Sequence, residues 1–532
     1  MENAVNPVET RTKQHGGGRP RLDIEPHKDE ILALLEKKTR TEDICKHLKT
    51  QYDIQISPRT LNKRLQLWGV KSKKENRSSD PALHARIKNL FFDVGLGDQE
   101  IITVLHDEGY DVSLRTLRRL RHRLGIRLRL DSPAQQQAQV QEILDALTEE
   151  LDKGTIEGYG KELLHNHFRS KGHVFARDRL YSVYRMLRPD TVERRSNDVP
   201  RRPPPPKVLV GPNLTWHVNG YTKLANFGFR IHAEIDSFSR YVLWIHVGVE
   251  AHAAVGVLKN HLETVSSKNR QPRTLRSDLE SEVPLLADAH FALRRTTEPD
   301  VQREQCCAPG RAADTHRIES WWAQLARSVV TLYHVSNAAP FSFLFYRLHK
   351  SHTNITQNYF RQLNSEGLFS STVIPEQVAL YAIYMPILRS HIKSYVQTWN
   401  MHNIRKQADH PERAPGKPYM NYHHPPKDVE NFGLPVDAPT LLAMQQDYAN
   451  YDIDEYLPPD TFRWCEMQLQ QLGFDPEKPP GRLPGDLQPF RSVYLALRER
   501  AWLHERSGAE PRLAVCGGAQ GLRGYVPSQS AR

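Results

Sequence analysis

Three short stretches carry the side chains with the most chemical potential. Asn219 closes Leu214-Thr215-Trp216-His217-Val218-Asn219, Asp278 stands in Leu275-Arg276-Ser277-Asp278-Leu279-Glu280, and Glu319 stands in Thr315-His316-Arg317-Ile318-Glu319-Ser320-Trp321-Trp322. Carboxylates are the ligands that hard cations such as Mg²⁺ prefer. Two such ions about 4 Å apart can clamp the attacking and leaving oxygens of a phosphodiester transfer. An asparagine offers one neutral carbonyl oxygen and no charge. Taken singly, each acid is equally an ordinary surface carboxylate.

A second chemistry is basic. Ser57-Pro58-Arg59-Thr60-Leu61 returns fifty-six positions later as Ser113-Leu114-Arg115-Thr116-Leu117. Each copy reads as two short helices, a turn and a third helix, with Ser57 and Ser113 placed to cap the last helix. In the second copy that helix carries Arg115, Arg118, Arg119, Arg121, Arg123, Arg127 and Arg129. No acidic residue lies between Ser113 and Leu130. Its apolar stripe is Leu117, Leu120 and Leu124. The first copy offers Arg59, Lys63 and Arg64. Such helices suit duplex DNA, whose phosphates neutralise the cations. A solvated charged face is the plainer alternative.

These side chains need elements to position them. Leu214, Trp216 and Val218 alternate with Thr215, His217 and Asn219, which is strand periodicity. Phe229 to Ile235 alternates likewise, and Tyr241 to Val247 is apolar enough for a strand buried on both faces. Asp236-Ser237-Phe238-Ser239-Arg240 reads as the hairpin between them. Ala251 to Val265 and Glu282 to Leu293 read as helices around a short strand, Thr274 to Ser277. From Asp314 a long helix begins, with Ile318, Trp322, Leu325, Val329 and Leu332 as its packing stripe. Glu319, beside that stripe, is expected against the sheet edge rather than in bulk water. Gln377 to Trp399 is helical. The order suits a five-stranded mixed sheet with helices on its faces.

The domain limits expected are a disordered basic tail (1–21), helix-turn-helix modules at 22–74 and 80–131, and a third helical module at 138–189. A Pro/Arg linker (190–212), the mixed-sheet core (213–406) and a Pro-rich connector (407–437) follow. A helical tail domain (438–506) and a disordered end (507–532) complete the chain. The net charge of +11 over 532 residues is compatible with a polyanionic partner. No run of about 18 apolar residues exists to span a membrane, and the first residues lack a secretory h-region. Five cysteines are too few for a disulfide framework and fit a reducing compartment.

The Trp216-to-Asn219 strand, the Ser277-Asp278 strand end and the Arg317-Ile318-Glu319-Ser320-Trp321 helix resemble, in that order, the integrase core of retroviruses and retroelement-like transposons. The resemblance extends from Gly158 to about residue 505, through Trp399-Asn400-Met401-His402-Asn403-Ile404-Arg405. It implies an RNase H-like fold and an Asp/Asp/Glu triad. In the family the first Asp bridges two Mg²⁺ or Mn²⁺ ions, while the second Asp and the Glu each hold one. By this resemblance Asp278 and Glu319 are the catalytic and metal-binding acids, and Asn219 stands at a degenerate first position. Glu280 also replaces the usual glycine after the second Asp. Asp236 cannot compensate, because a five-residue offset along a strand is roughly 16 Å. His165 and His167 lack nearby cysteines, so no zinc is expected. The chain is accordingly expected to be a mobile-element-derived, integrase-like, nuclear DNA-binding protein with weakened or inactive strand transfer. The alternative is a domesticated, non-catalytic DNA-binding or regulatory protein. Double-stranded DNA is the expected partner and homo-oligomers are possible, with neither a membrane nor a small-molecule substrate.

Overall fold

Caps and turns delimit the N-terminal helices. The computed structural model describes residues 24–36, 39, 41–69, 80–126, 132–153, 155–156, 159–188, 211–277, 283–309, 318–319, 321–326, 356–405, 414–478 and 490–516. Outside them lie the expected tail at 1–21, residues 517–532 of the end expected to be disordered (507–532), nearly all of the Pro/Arg linker, Arg127, Arg129, Asp278, Glu280, Glu282, and the rest of the helix expected around Glu319. Residues 507–516 of that expected end are described, and Leu513 is buried. The chain divides into two units, Met1–Leu83 and His84–Arg532.

The first unit contains α1 (Lys28–Glu36), α2 (Thr41–Tyr52) and α3 (Pro58–Leu67). Its core is Ile24, Ile31, Ile44, Leu48, Ile56, Leu61 and Leu65. Ser57 Oγ accepts the Thr60 N–H at 3.2 Å, satisfying an orphan donor of α3. Trp68 Nε1 donates to the Glu25 carboxylate at 2.8 Å.

In the second unit α4 (Pro81–Phe92, which starts at the unit boundary), α5 (Asp98–Asp107) and α6 (Leu114–Arg123) repeat this arrangement. Ser113 Oγ accepts the Thr116 N–H, again at 3.2 Å. Three further helices follow, α7 (Pro133–Lys153), α8 (Lys161–Ser170) and α9 (Arg177–Leu187). Arg169 of α8 reaches the α4–α5 turn, stacking 3.6 Å from the Phe91 ring centroid. It donates to the carbonyls of Gly95 at 3.0 Å and Leu96 at 2.5 Å. Gly95 has φ +67, and a Cβ there would lie 3.3 Å from Met401 Cβ, so the turn needs glycine.

The sheet comprises β1 (Thr215–Tyr221), β2 (Arg230–Asp236), β3 (Val242–Gly248), β4 (Thr274–Ser277) and β5 (Cys307–Pro309). Its order is β3-β2-β1-β4-β5. The first three strands pair antiparallel, and β4 and β5 join parallel. A 3₁₀ turn, Thr222–Phe227, lies between β1 and β2 and ends at Gly228 with φ +85. A Cβ at Gly228 would collide with the Tyr381 ring. Between β3 and β4 runs α10 (Ala253–Lys268), and α11 (Val283–Thr297) and the short α12 (Arg303–Cys306) precede β5. The mixed sheet with helices is RNase H-like, as expected, between helical N-terminal and C-terminal regions.

Two apolar clusters sandwich the sheet. Trp216, Val218 and Trp244 face Leu258 and Leu262 of α10 and Leu286 and Leu293 of α11. Tyr221, Ile231, Ala233 and Ile235 belong to the other cluster. After α13 (Thr356–Ser365), the long α14 (Ile374–Met401) fills the centre of that second layer. Its C-terminal end clamps β3: Asn400 accepts the Val242 N–H at 2.9 Å and donates to the Val242 carbonyl at 3.0 Å. Trp399 Nε1 donates to the Arg240 carbonyl at 3.0 Å.

Beyond the short α15 (Pro418–His423) come α16 (Ala438–Asp447), α17 (Pro459–Gln471) and α18 (Arg491–Ser507). Leu441 of α16 joins the α10 cluster. Trp464 of α17 and Tyr494, Leu497 and Ala501 of α18 join the α14 cluster. No helix among the described residues is long and apolar enough to cross a membrane.

Candidate functional site

Strand alternation decides which way Asn219 faces. Trp216 and Val218 point to the α10 side, so Asn219, paired with Ala233, shares the opposite face with Tyr221. It is half-buried. Val218 pairs with Glu234 on one side and with Ser277, the last residue of β4, on the other. Asp278 follows Ser277 in sequence, outside the described residues.

The helical residues around Glu319 pack on that same face. Ile318, Trp321, Trp322 and Leu325 are buried in the α14 cluster. Tyr221 and Trp322 ring centroids are 5.5 Å apart, and those of Trp321 and Tyr395 are 6.4 Å apart. Glu319 itself is exposed, not sheltered by the sheet edge as the sequence led us to expect. With 318, 321, 322 and 325 all turned inward, position 319 is left on the helix flank.

Asp236 is unavailable to this face. It lies opposite Trp216, three positions along β2 from Ala233, or roughly 10 Å, rather than the larger offset expected. Alternation turns it toward the other layer. There it accepts the Asn213 N–H at 2.8 Å, with the Ser239 N–H at 2.8 Å and Oγ–H at 2.6 Å. Burial, only partly opposed by these bonds, raises its pKa to about 6. It is a turn-former. Glu234, also fully buried, accepts from Trp244 Nε1 at 2.6 Å and contacts His261 Nδ1 at 3.0 Å.

Among the described residues no group of three His, Cys, Asp or Glu side chains is arranged to hold a metal ion. Asn219 carries a neutral amide, with one carbonyl oxygen and no charge to offer a cation. His167, in the expected zinc-free module, is buried against Glu150, with Nε2 to Oε2 2.6 Å.

The basic helices divide more finely than their sequences suggest. Arg115, Arg118, Arg119 and Arg123 of α6 are exposed, but Arg121 is buried. Its guanidinium lies 4.5 Å from the Phe91 ring centroid and is ion-paired with Asp98. Asp98 also reaches Arg118 Nε at 3.3 Å. The counter-charge absent from α6 itself therefore comes from the start of α5. In α3, Arg59 and Lys63 are exposed, while Arg64 is half-buried with Nη1 3.7 Å from Glu25. An arginine interrupting the Leu117–Leu120–Leu124 stripe at 121 was the available sequence signal.

No curated protein matches the chain. Among solved structures, it is similar to a chain of the simian T-cell lymphotropic virus intasome in complex with PP2A regulatory subunit B56 gamma. The two are 10% identical with a TM-score of 0.24, covering 53% of this chain and 76% of that chain. Residues 20–72 match the Clr5 domain family. Residues 207–344, the stretch that contains Asn219, Asp278 and Glu319, match the integrase core domain family.

Proposed function

We propose that the chain is a DNA-binding protein of mobile-element ancestry, built on an integrase core whose strand-transfer chemistry is curtailed at position 219. The observation that carries this reading is the place of Asn219, midway along β1 and one residue past the Val218–Ser277 rung. There a bridging carboxylate would face the helix that bears Glu319. Mg²⁺ or Mn²⁺, if bound, would be held by Asp278 and Glu319, and would supply charge stabilisation for phosphodiester attack. Asn219 would add one neutral oxygen, enough to assist one ion but not to bridge two. The exposed cations Arg115, Arg118, Arg119 and Arg123 on α6, and Arg59 and Lys63 on α3, would hold duplex DNA by its phosphates. A nuclear location follows from that partner, and self-association is compatible with it.

A second reading is a domesticated regulatory protein that uses the same surfaces without chemistry. The exposed Glu319 favours it, since a catalytic acid gains most from a sheltered, low-dielectric setting.

Nicking of supercoiled plasmid with Mn²⁺ tests the proposal without knowledge of a cognate DNA end. The native chain is compared with Asn219→Asp and with Asn219→Asp plus Glu319→Ala. Nicking only by Asn219→Asp, lost in the double variant, is the expected result. Glu319-dependent nicking by the native chain contradicts a curtailed site and makes the chain an active enzyme. Binding without nicking by any of the three favours the regulatory reading.

A further inference from the structure

The 3₁₀ turn after β1 contributes to a recess whose lining residues include none of Asn219, Asp278 and Glu319. Lys223 and Asn226 from that turn, Arg361 and Asn364 from α13, and Ser370 and Ser371 before α14 line a cavity of about 370 Å³. Phe227 and Phe369 form its apolar floor, both buried, with ring centroids 5.8 Å apart. No Asp or Glu is among these lining residues. The nearby acid after α13, Glu366, is already engaged by Arg491 at 2.5 Å and by Gln362 at 2.6 Å. The rim is ordered: Ser370 Oγ meets Thr372 Oγ1 at 2.9 Å and accepts the Thr372 N–H at 3.3 Å.

We infer that this recess is a binding site for a phosphate group, presented by a nucleic-acid strand or by a free phosphate compound. Residues bearing two cations, two amides and two hydroxyls line one concavity, the donor chemistry that phosphate oxygens require. The guanidinium gives a fork that matches two phosphate oxygens, and the ammonium gives a mobile point charge. Desolvation, and then the charge of Arg361, lower the Lys223 pKa, as expected of two cations that line one recess. The Phe227 and Phe369 floor gives the sugar or base of a larger ligand an apolar wall. Only the strand as carrier, not the phosphate chemistry, rests on the nucleic-acid reading above.

The test is calorimetric titration of the full chain with inorganic pyrophosphate and, separately, with a ten-nucleotide single-stranded oligothymidylate. Lys223→Gln/Arg361→Gln is compared with Lys393→Gln/Lys478→Gln, which loses the same charge from exposed positions elsewhere. The recess variant should weaken at least one probe by about tenfold or more, the scale expected when a charge-assisted hydrogen bond is removed, and the control should change little. Recess-dependent binding of pyrophosphate identifies a free-phosphate site, and of the oligonucleotide alone a strand site. Equal losses in the two variants, or no binding of either probe to the native chain, overturn the inference. Duplex binding through α6 is measured in the same variants, so failure of the recess and failure of the DNA-binding reading are told apart.

Discussion

The two copies of the three-helix repeat solve the same packing problem with opposite residues. Both cap their last helix through serine at 3.2 Å, and both close it with a glycine at φ near +70, Gly69 and Gly125. At one matching position they diverge: Leu65 is 1% exposed in the first copy, and Arg121 is 8% exposed in the second. The first copy closes its core with hydrocarbon. The second buries a guanidinium on Phe91, pairs it with Asp98, and sets Arg169 from α8 beside the same ring. Glu42, at the position matching Asp98, is exposed. The second copy is also tied to α8 and α15 by Arg169, by the 2.9 Å bond from Lys417 to Gly95 O, and by the 2.6 Å contact of His424 with Asp107. A repeat that begins as a self-sufficient module has become, in its second copy, part of the core that it adjoins.

Removing the acid should break this difference most sharply. Asp98→Ala leaves the Arg121 guanidinium without its counter-charge and should cost about 3 kcal/mol, read as lost hydrogen-exchange protection in α5 and α6. Glu42→Ala should change α2 and α3 by less than about 0.5 kcal/mol. Adding Arg121→Leu to Asp98→Ala should restore most of the loss, because leucine already serves at position 65. Equal effects of the two acid deletions would contradict the assigned roles.

Acid should separate the regions next. Burial alone would raise the Glu150 pKa, but the hydrogen bond and charge of His167, with the Lys171 ammonium 2.7 Å away, hold it well below the usual carboxylate range. Its folded pKa is depressed, so its stabilisation is present above pH 4.5 and is lost as pH falls toward the folded value. Protection of α7 and α8 should therefore fall below pH 4.5, by up to about 1.4 kcal/mol per pH unit. Glu150→Gln should flatten that slope. In the first unit Glu30 is also held low, first by its His47 and Tyr52 hydrogen bonds, but it is too exposed to carry a comparable acid limb.

DNA should show the smallest contrast. Arg118→Ala/Arg119→Ala should flatten the salt dependence of duplex binding by roughly one unit for each phosphate no longer neutralised, and Arg59→Ala/Lys63→Ala should do the same. Arg121→Leu should leave the slope unchanged, because its guanidinium faces inward. A flattened slope in that variant would mean that the buried group turns outward on DNA.

What was legible in the sequence was what local periodicity encodes. Thr274–Ser277 is the strand expected, and the helix read at Gln377 to Trp399 runs from Ile374 to Met401. The alternation around Asn219 also put it on a strand, which runs two residues further, to Tyr221. Long-range partners were not legible. Asp98 lies 23 positions before Arg121, so a window over α6 saw arginines without a counter-charge. The Trp399-Asn400 segment entered the sequence reading only as part of the resemblance, yet Asn400 completes the β3 backbone 158 positions away. No spacing rule reports such a pairing. Glu319 was expected under shelter because its stripe was read as Ile318 and Trp322, and the inward turn of Trp321 leaves position 319 exposed. The recess at Lys223 and Arg361 joins segments with no shared motif, and only folding brings them together.

A Mn²⁺ titration of the full chain, followed by the loss of free-ion signal in electron paramagnetic resonance, counts the ions that this core holds. A site curtailed at Asn219 predicts at most one weakly bound ion in the native chain. It predicts a second ion in Asn219→Asp, lost again when Glu319→Ala is added. Two ions bound by the native chain, with Glu319→Ala removing one, would contradict the account and restore a working metal pair to this core.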